Sequence, residues 1–276
     1  MLRKLSIICL LIAAVISCNS IKEDRSKCPC WCSVDFSLVD SSIESLHLWF
    51  FDNTGRLLCR DTVYSWEYGD FYEVELNRGD VRCYIWGNLL DNTLLNDNST
   101  LSSSLLKAEK CDADPLYFCS KILDAGGETC CDTVLMKKEH AVVDIQLKGG
   151  YTAENGLYIK LKGGTLGHYV NGSFIKESFY TYSYPHTNDF KESCFFRFRL
   201  MRQEVPEELY MTIYTMCDGK EVEIKDCPLG KWLVASGYDM KAEELSDVSL
   251  ILDISLGFVS ISTEDWETTV PVKIEL

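Results

Sequence analysis

The sequence has little of what enzyme active sites require. Its four histidines, His47, His140, His168 and His186, are not spaced as the ligands of a helical or finger-type metal site. It contains no Gly-x-Ser-x-Gly motif, phosphate-binding loop or dinucleotide fingerprint. We therefore predict a protein that is not an enzyme, with no catalytic residue, cofactor or metal.

Positive charge is also scarce. The chain has 27 Lys and Arg residues against 42 Asp and Glu residues, which gives a formal net charge of −15. Such a chain repels nucleic acid phosphates and anionic lipid headgroups. We expect no nucleic acid partner, and the balance suits a soluble domain that is held off a membrane surface.

Long apolar runs are absent beyond the first residues. The run "LSIICLLIAAVI" (residues 5–16) follows Arg3 and Lys4 and is shorter than the ~20 residues that cross a bilayer. A short apolar run behind basic residues is typical of a secretory signal peptide. We predict a signal peptide over residues 1–17 and no membrane-spanning segment after it.

The expected cleavage region, Val15-Ile16-Ser17-Cys18, resembles the lipobox of bacterial lipoproteins. In that class the signal is removed in front of the cysteine, which then carries acyl chains. Several chains anchor a protein stably, because each buried methylene contributes about 0.8 kcal/mol. The resemblance predicts that Cys18 is lipidated and that residues 18–32 are a tether; an incidental cysteine behind an ordinary signal is the alternative.

Cysteine, by contrast, is abundant. Of the 14 cysteines, Cys9 lies in the signal and Cys18 takes the lipid, which leaves 12. An even number in an exported chain predicts disulfides, although the sequence does not reveal their pairing. Cys28, Cys30 and Cys32 would point the same way from a strand, but they lack the second ligand pair of a structural zinc site. We favour disulfide or free-thiol roles for them and predict that they bind no metal.

Most of the remaining chain alternates apolar and polar residues, which is the period of a β-strand. Residues 52–55 predict a hairpin, and residues 77–80 predict another turn. Residues 89–110 interrupt the pattern with Asn, Asp and Ser, so we expect a solvent-facing excursion there, with at most a short helix over residues 101–110. The aromatics of residues 63–72 could stack on a sugar, but alternation favours a place in the core.

These patterns predict an all-β fold with two antiparallel β-sandwich domains in tandem, because no helical segments of 10 to 15 residues separate the strands. Gly149-Gly150 marks the expected boundary. The N-terminal sandwich would cover residues 33–150 and the C-terminal sandwich residues 151–276.

Several segments, taken in order, resemble FimB-type fimbrial anchor subunits, a group of Gram-negative outer-membrane lipoproteins. Besides the lipobox, they are "DRSKCPCWCSVDFSL", "LHLWFFDNTGRLL", "VRCYIWGN", "HAVVDIQL" and "GYDMKAEELSDVSLILDISLGFVSISTEDW". The resemblance covers most of the chain after the signal peptide. It implies two transthyretin-like domains and a protein that holds a fimbrial polymer of stalk subunits to the cell surface through its lipid.

The resemblance carries over one functional residue, Cys18, and it gives Trp86 and Trp266 a packing role. The cysteine density departs from the family. Two other functions stay open, a stalk or tip subunit of the same polymer and a surface glycan-binding lipoprotein.

The last segment, "VPVKIEL", is an amphipathic strand at the chain terminus. Strand addition to another subunit requires such a segment, because ladder hydrogen bonds give affinity and alternate side chains fill pockets. Closure of the chain's own second sandwich is the alternative. The candidate partner-strand residues are Val270, Val272, Ile274 and Leu276.

Overall fold

The computed structural model describes residues 28–69, 71–96, 100–149, 156–185 and 193–255, together with the backbone of residues 258–263. Within these residues strands dominate, which confirms the all-β class. The described part of the chain has one α-helix, α1, which covers Leu229–Ala235, and two 3-10 turns, which cover Ser65–Glu67 and Pro206–Glu208. No helix in the described part of the chain is long and apolar enough to span a membrane.

The strands are numbered in chain order. They are β1 Pro29–Asp35, β2 Ser45–Phe51, β3 Leu57–Tyr64, β4 Phe71–Asn77, β5 Asp80–Gly87, β6 Thr93–Leu95, β7 Ser104–Lys107, β8 Tyr117–Asp124, β9 Thr129–Thr133, β10 Lys137–Lys138, β11 His140–Lys148, β12 Tyr158–Gly163, β13 Gly167–Tyr169, β14 Phe174–Ile175, β15 Phe179–Ser183, β16 Ser193–Met201, β17 Tyr210–Cys217, β18 Lys220–Cys227, β19 Val248–Asp253 and β20 Phe258–Thr263.

Two sheets enclose the first apolar core. One has the strand order β4-β1-β9 and the other the order β10-β8-β5-β2-β3. Alternation places every second residue of β1, namely Cys30, Cys32 and Val34, in this core, while Trp31 points outward. Because β1 begins at Pro29, the last residues of the predicted tether already belong to the central strand of a sheet.

Two further sheets and α1 enclose the second core. Their strand orders are β16-β11-β19-β20 and β15-β12-β17-β18. Strand β11 buries its alternate residues here, so the chain changes from the first pair of sheets to the second just before His140. The predicted boundary at Gly149-Gly150 follows β11 in the sequence, and the division of the chain into two domains there stays a prediction.

Two strand pairs depart from antiparallel pairing within the described residues. Strand β1 runs parallel to β9, and β11 runs parallel to β19. The hairpin predicted over residues 52–55 joins β2 and β3, as expected. The turn over residues 77–80 joins β4 to β5, which belong to opposite sheets of the first core.

The prediction of a solvent-facing excursion over residues 89–110 is wrong for residues 103–107, of which Ser103, Ser104, Leu105 and Lys107 are buried. Strands β6 and β7 join β13 and β14 in a small sheet, and residues 101–110 form no helix. Leu105 is buried with Trp49 and Trp86 in a third apolar cluster on the outer side of the five-stranded sheet. The backbone N–H and C=O groups of β6 and β7 form hydrogen bonds within the small sheet. The polar composition of the segment does not reveal this pairing.

Candidate functional site

The described histidines form no catalytic or metal-binding group. His47 Nδ1 lies 3.1 Å from Thr62 Oγ1, and His140 Nδ1 lies 3.0 Å from the carbonyl oxygen of Leu116. The His168 ring packs between other aromatic rings. Burial lowers the pKa of all three imidazoles to about 4, so they are neutral at pH 7. A structural role for these three side chains therefore fits the geometry.

A cluster of three thiols lies in the first core where β1 meets β9. The Sγ atoms of Cys30, Cys32 and Cys130 all lie within 4.8 Å of one another, and Cys30 and Cys32 are buried. Within the described residues, this is the one group of three His, Cys, Asp or Glu side chains close enough to share a metal ion. We refer to it as the thiol cluster.

The sequence predicted two of the three members of the thiol cluster. The shared face of Cys30 and Cys32 followed from strand geometry, and the structure bears it out. Cys130 was missed, because it reaches the cluster through the parallel pairing of β1 with β9, in which Cys130 is the register partner of Cys32. Cys28 is half-buried and lies outside the cluster.

The Cys32 and Cys130 thiols of the cluster have low reactivity in the folded protein, because little of each is present as thiolate. Burial, followed by the neighbouring Cys130 and Cys30 thiols, raises the pKa of Cys32, and burial also raises the pKa of Cys130. No disulfide joins any of the twelve cysteines of residues 28–227 in the structure. Three thiols so placed can close one disulfide or, as thiolates, ligate a soft metal.

A buried ion pair lies where the chain passes from one pair of sheets to the other. Arg202 Nε donates to Glu139 Oε2 over 2.6 Å, and Arg202 Nη1 donates to the carbonyls of Met240 and Ala242. The two charged side chains are only 9% and 12% exposed. This network fixes the start of β11 against the end of β16.

The outer face of the β16-β11-β19-β20 sheet carries an open groove of about 560 Å³. Half-buried Phe195 and Ile251 contribute to its apolar lining. Arg197 donates to both carboxylate oxygens of Asp144, at 2.7 and 2.8 Å. The groove therefore combines apolar surface with a fixed, exposed ion pair.

Strand β20 forms one edge of that sheet. It pairs with β19 on one side, and no strand of the described chain pairs with its other side. Its sequence, FVSIST, makes it the longest edge strand without a charged residue among those described. Charged side chains normally protect exposed edges from pairing with other chains, and the sequence of β20 contains none.

The aromatics of residues 63–72 divide between core and surface. Tyr68 and Tyr72 pack against the first core, as expected. Tyr64 and Trp66 instead stack on each other at the surface, with ring centroids 4.7 Å apart and an interplanar angle of 1°. Trp66 is 76% exposed and Phe71 is also exposed, so the expectation of a core position is wrong for these three residues.

The residues predicted to contact membrane and partner lie outside the described part of the chain. They are Cys18, Val270, Val272, Ile274 and Leu276, and His186 and Trp266 also lie outside it. Trp86, the other tryptophan assigned to packing, is fully buried.

Comparison with solved structures shows the same fold. The fimbrial anchor protein Mfa2 from Porphyromonas gingivalis is 16% identical, with a TM-score of 0.66 over 88% of this chain and 99% of that chain. A Bacteroides thetaiotaomicron protein described as polysaccharide-binding is 15% identical, with a TM-score of 0.66 over 88% and 99% of the two chains. Another protein from B. thetaiotaomicron, described as an adhesin, is 16% identical, with a TM-score of 0.64 over 90% and 100%.

A search of curated protein sequences finds no match. The sequence profile of the fimbrillin-A associated anchor proteins Mfa1 and Mfa2, however, matches residues 25–270, which is most of the chain. This match agrees with the resemblance seen in the sequence. The chain therefore belongs to the family of fimbrillin-A associated anchor proteins.

Proposed function

We propose that the protein anchors a fimbrial polymer to the outer membrane, with lipid on Cys18 as its membrane attachment and strand pairing as its attachment to a stalk subunit. The match to the anchor family over residues 25–270 carries this proposal. The family is one of structural fimbrial proteins, which agrees with the neutral, buried histidines and the lack of a catalytic arrangement in the described residues.

The geometry of β1 supports the membrane side of the proposal. Ten residues, 19–28, separate Cys18 from Pro29, and a chain of that length spans at most about 35 Å. The chain then enters the middle strand of a sheet, with β4 on one side and β9 on the other. A pull on the lipid would therefore load a strand that is held along both edges.

The partner side of the proposal lies at the C-terminal end. The candidate partner strand begins at Val270, seven residues after the last residue of β20. The uncharged edge of β20 and an amphipathic terminal strand suit pairing with another subunit. In this arrangement the membrane contact and the polymer contact lie at opposite ends of the sequence.

Replacing Cys18 tests the membrane attachment. We expect the Cys18→Ser variant to incorporate no labelled palmitate and to release fimbriae into the medium. Cys217→Ser is the matched control, because Cys217 is exposed at the hairpin between β17 and β18. Palmitate labelling of the Cys18→Ser variant at the wild-type level would contradict lipidation at this residue.

Substitutions that place charge on the apolar face of the candidate partner strand test its role. We expect the double substitution Val272→Asp and Ile274→Asp to leave the melting temperature unchanged and to abolish retention of fimbriae. The control substitutes Lys273→Gln and Glu275→Gln on the opposite face of the same strand. A large fall in melting temperature would show instead that the segment closes the second sandwich.

A stalk subunit would differ from an anchor at its N-terminus. We expect mass spectrometry of the native protein to find an acylated Cys18 as the first residue. Cleavage after an Arg or Lys near β1 would favour the stalk role instead.

The stacked pair of Tyr64 and Trp66 favours glycan binding as a second candidate function. The two rings are parallel, stacked and exposed, and the outer face of the stacked pair offers an apolar surface on which a sugar ring can stack. Wild-type protein and the Trp66→Ala variant would be compared on a polysaccharide panel. Binding that is lost in the variant supports this function, whereas no binding by the wild type removes it.

A further inference from the structure

We propose that Cys32 and Cys130 form a disulfide that fixes β1 to β9, with Cys30 as a third thiol beside the bond. The inference rests on the proposed function in one respect, because an exported protein meets the oxidising surroundings in which disulfides persist. The pairing itself follows from the thiol cluster.

Backbone geometry selects one pair among the three thiols. Cys32 and Cys130 are register partners on neighbouring strands, whose backbones lie about 4.8 Å apart. This separation falls within the range of about 4.4–6.8 Å that a disulfide requires between Cα atoms. Their side chains leave the sheet on the same face, so side-chain rotation alone can bring the sulfurs together.

The other two pairs of cysteines have Cα separations that suit a disulfide less well. Cys30 and Cys32 are two residues apart on one strand, a Cα separation of about 6.6 Å that lies near the upper limit. Cys30 and Cys130 are diagonal neighbours about 8 Å apart, beyond that limit. The short distance of 3.8 Å between the sulfurs of Cys30 and Cys32 reflects side chains that lean toward each other in the core.

A bound metal fits the surroundings less well than a disulfide does. Three thiolates around a divalent cation would leave a net negative charge among the apolar side chains of the first core. The described residues provide no fourth side-chain ligand in the cluster. A disulfide is neutral, so burial does not oppose it.

The bond forms by two successive thiol–disulfide exchanges with an incoming disulfide of a thiol oxidant. The thiolate of Cys130, which is less buried than Cys32, attacks one sulfur of the incoming disulfide and expels the other as a thiolate. The thiolate of Cys32 then attacks the Cys130 sulfur of this mixed disulfide and expels the second thiolate. Two cysteine thiols have then lost two electrons and two protons, and the incoming disulfide has become two thiols.

The exchange takes place while β1 and β9 are coming together. In the closed core, burial raises the pKa of both thiols and so reduces the fraction of reactive thiolate. The completed bond adds a covalent link beside the ladder hydrogen bonds of β1. Because β1 is the first strand after the proposed lipid tether, the link lies where tension on the tether is applied.

The test is a thiol map of the full-length protein extracted from the cell envelope. The protein is denatured in excess N-ethylmaleimide without reductant and digested with chymotrypsin, which cleaves after Trp31 and so separates Cys30 from Cys32. We expect mass spectrometry to find a peptide that links Cys32 to Cys130, and a Cys30 that carries the maleimide. Maleimide on both Cys32 and Cys130, or a stoichiometric metal that is lost from Cys130→Ser, would overturn the inference.

Stability measurements provide a second readout. Reductant should lower the melting temperature of the wild type by roughly 5–15 °C, the effect of losing one long-loop disulfide. It should have no effect on Cys130→Ser, while Cys30→Ser should respond like the wild type. If Cys130→Ser does not fold, the wild type and Cys30→Ser still test the disulfide. A melting temperature that reductant leaves unchanged in both proteins would contradict the bond.

The thiol map tests the disulfide, and the fimbrial assays test the anchor function, so either proposal can be contradicted without the other. Retained fimbriae without the linked peptide would remove the disulfide and leave the anchor function intact. A linked peptide in a protein that holds no fimbriae would do the reverse.

Discussion

The indole Nε1 of Trp86 donates a hydrogen bond to the carbonyl of Val170 over 2.9 Å, and both residues are fully buried. Trp86 lies on β5, whereas Val170 follows β13 in the small sheet. The bond joins the five-stranded sheet to the small sheet, across the third apolar cluster.

Replacing Trp86 with Phe should therefore destabilise the protein. The change leaves the Val170 carbonyl without its donor and removes part of a packed ring, so we expect a loss of roughly 2–3 kcal/mol in the free energy of unfolding. Urea denaturation measures it. Trp66→Phe, at an exposed ring, is the control and should change the free energy by less than about 0.5 kcal/mol.

The pair of Arg202 and Glu139 predicts a second large effect. Arg202→Met leaves the Glu139 carboxylate buried without its counterion, which should cost about 3–5 kcal/mol of unfolding free energy. The exposed pair of Arg197 and Asp144 provides the control, because Arg197→Met should cost less than about 1 kcal/mol. Equal losses in the two variants would contradict the structural role of the buried pair.

The buried imidazoles predict how stability depends on pH. His47, His140 and His168 have pKa values near 4 in the folded protein, against an ordinary value near 6.5. Below pH 6.5 the unfolded chain binds protons that the folded chain does not, so this contribution is complete above pH 6.5 and is lost progressively toward pH 4. Urea midpoints measured from pH 7.5 to pH 4.5 should fall accordingly.

His168→Phe tests that explanation at one site. Phenylalanine keeps an aromatic ring between Trp86 and Phe174 but does not titrate. We expect the variant to lose less stability than the wild type between pH 6.5 and pH 4.5. An unchanged pH dependence would exclude His168 as a contributor.

Gly167 allows the close approach of β13 to β7 in the small sheet. A Cβ atom at this position would lie 2.1 Å from the backbone oxygen of Leu105, on the paired strand β7. Gly167→Ala should therefore separate β7 from β13 and expose residues 104–107 to proteases. In the wild type these residues should resist limited proteolysis, and Gly69→Ala, which meets no close contact, should behave like the wild type.

Most strands were predictable because alternation of side chains is a local property. The segments around β2, β5, β11 and β16 all show it in their sequences, and all are strands. The small sheet was missed because β6 and β7 are short and lie among polar residues, and they become strands only through pairing with β13 and β14. Pairing between distant strands is a tertiary property that a local pattern does not encode.

The same distinction applies to the thiol cluster. The shared face of Cys30 and Cys32 is a local consequence of an extended backbone. The third thiol comes from a strand whose pairing with β1 spans 98 residues of sequence, as the bond from Thr133 to Asp35 illustrates. The exposed stacking of Trp66 was missed for a related reason, since the 3-10 turn at Ser65–Glu67 ends the alternation of β3.

The parallel pairing of β1 with β9 also sets the order in which the protein can fold. A chain made from its N-terminus presents β1 first, but β9 follows only after about a hundred further residues have appeared. Closing so long a loop is slow compared with forming a hairpin such as β2–β3. Until then β4 is the one neighbour in its sheet with which β1 can pair, so the other edge of β1 is available for premature pairing with other chains.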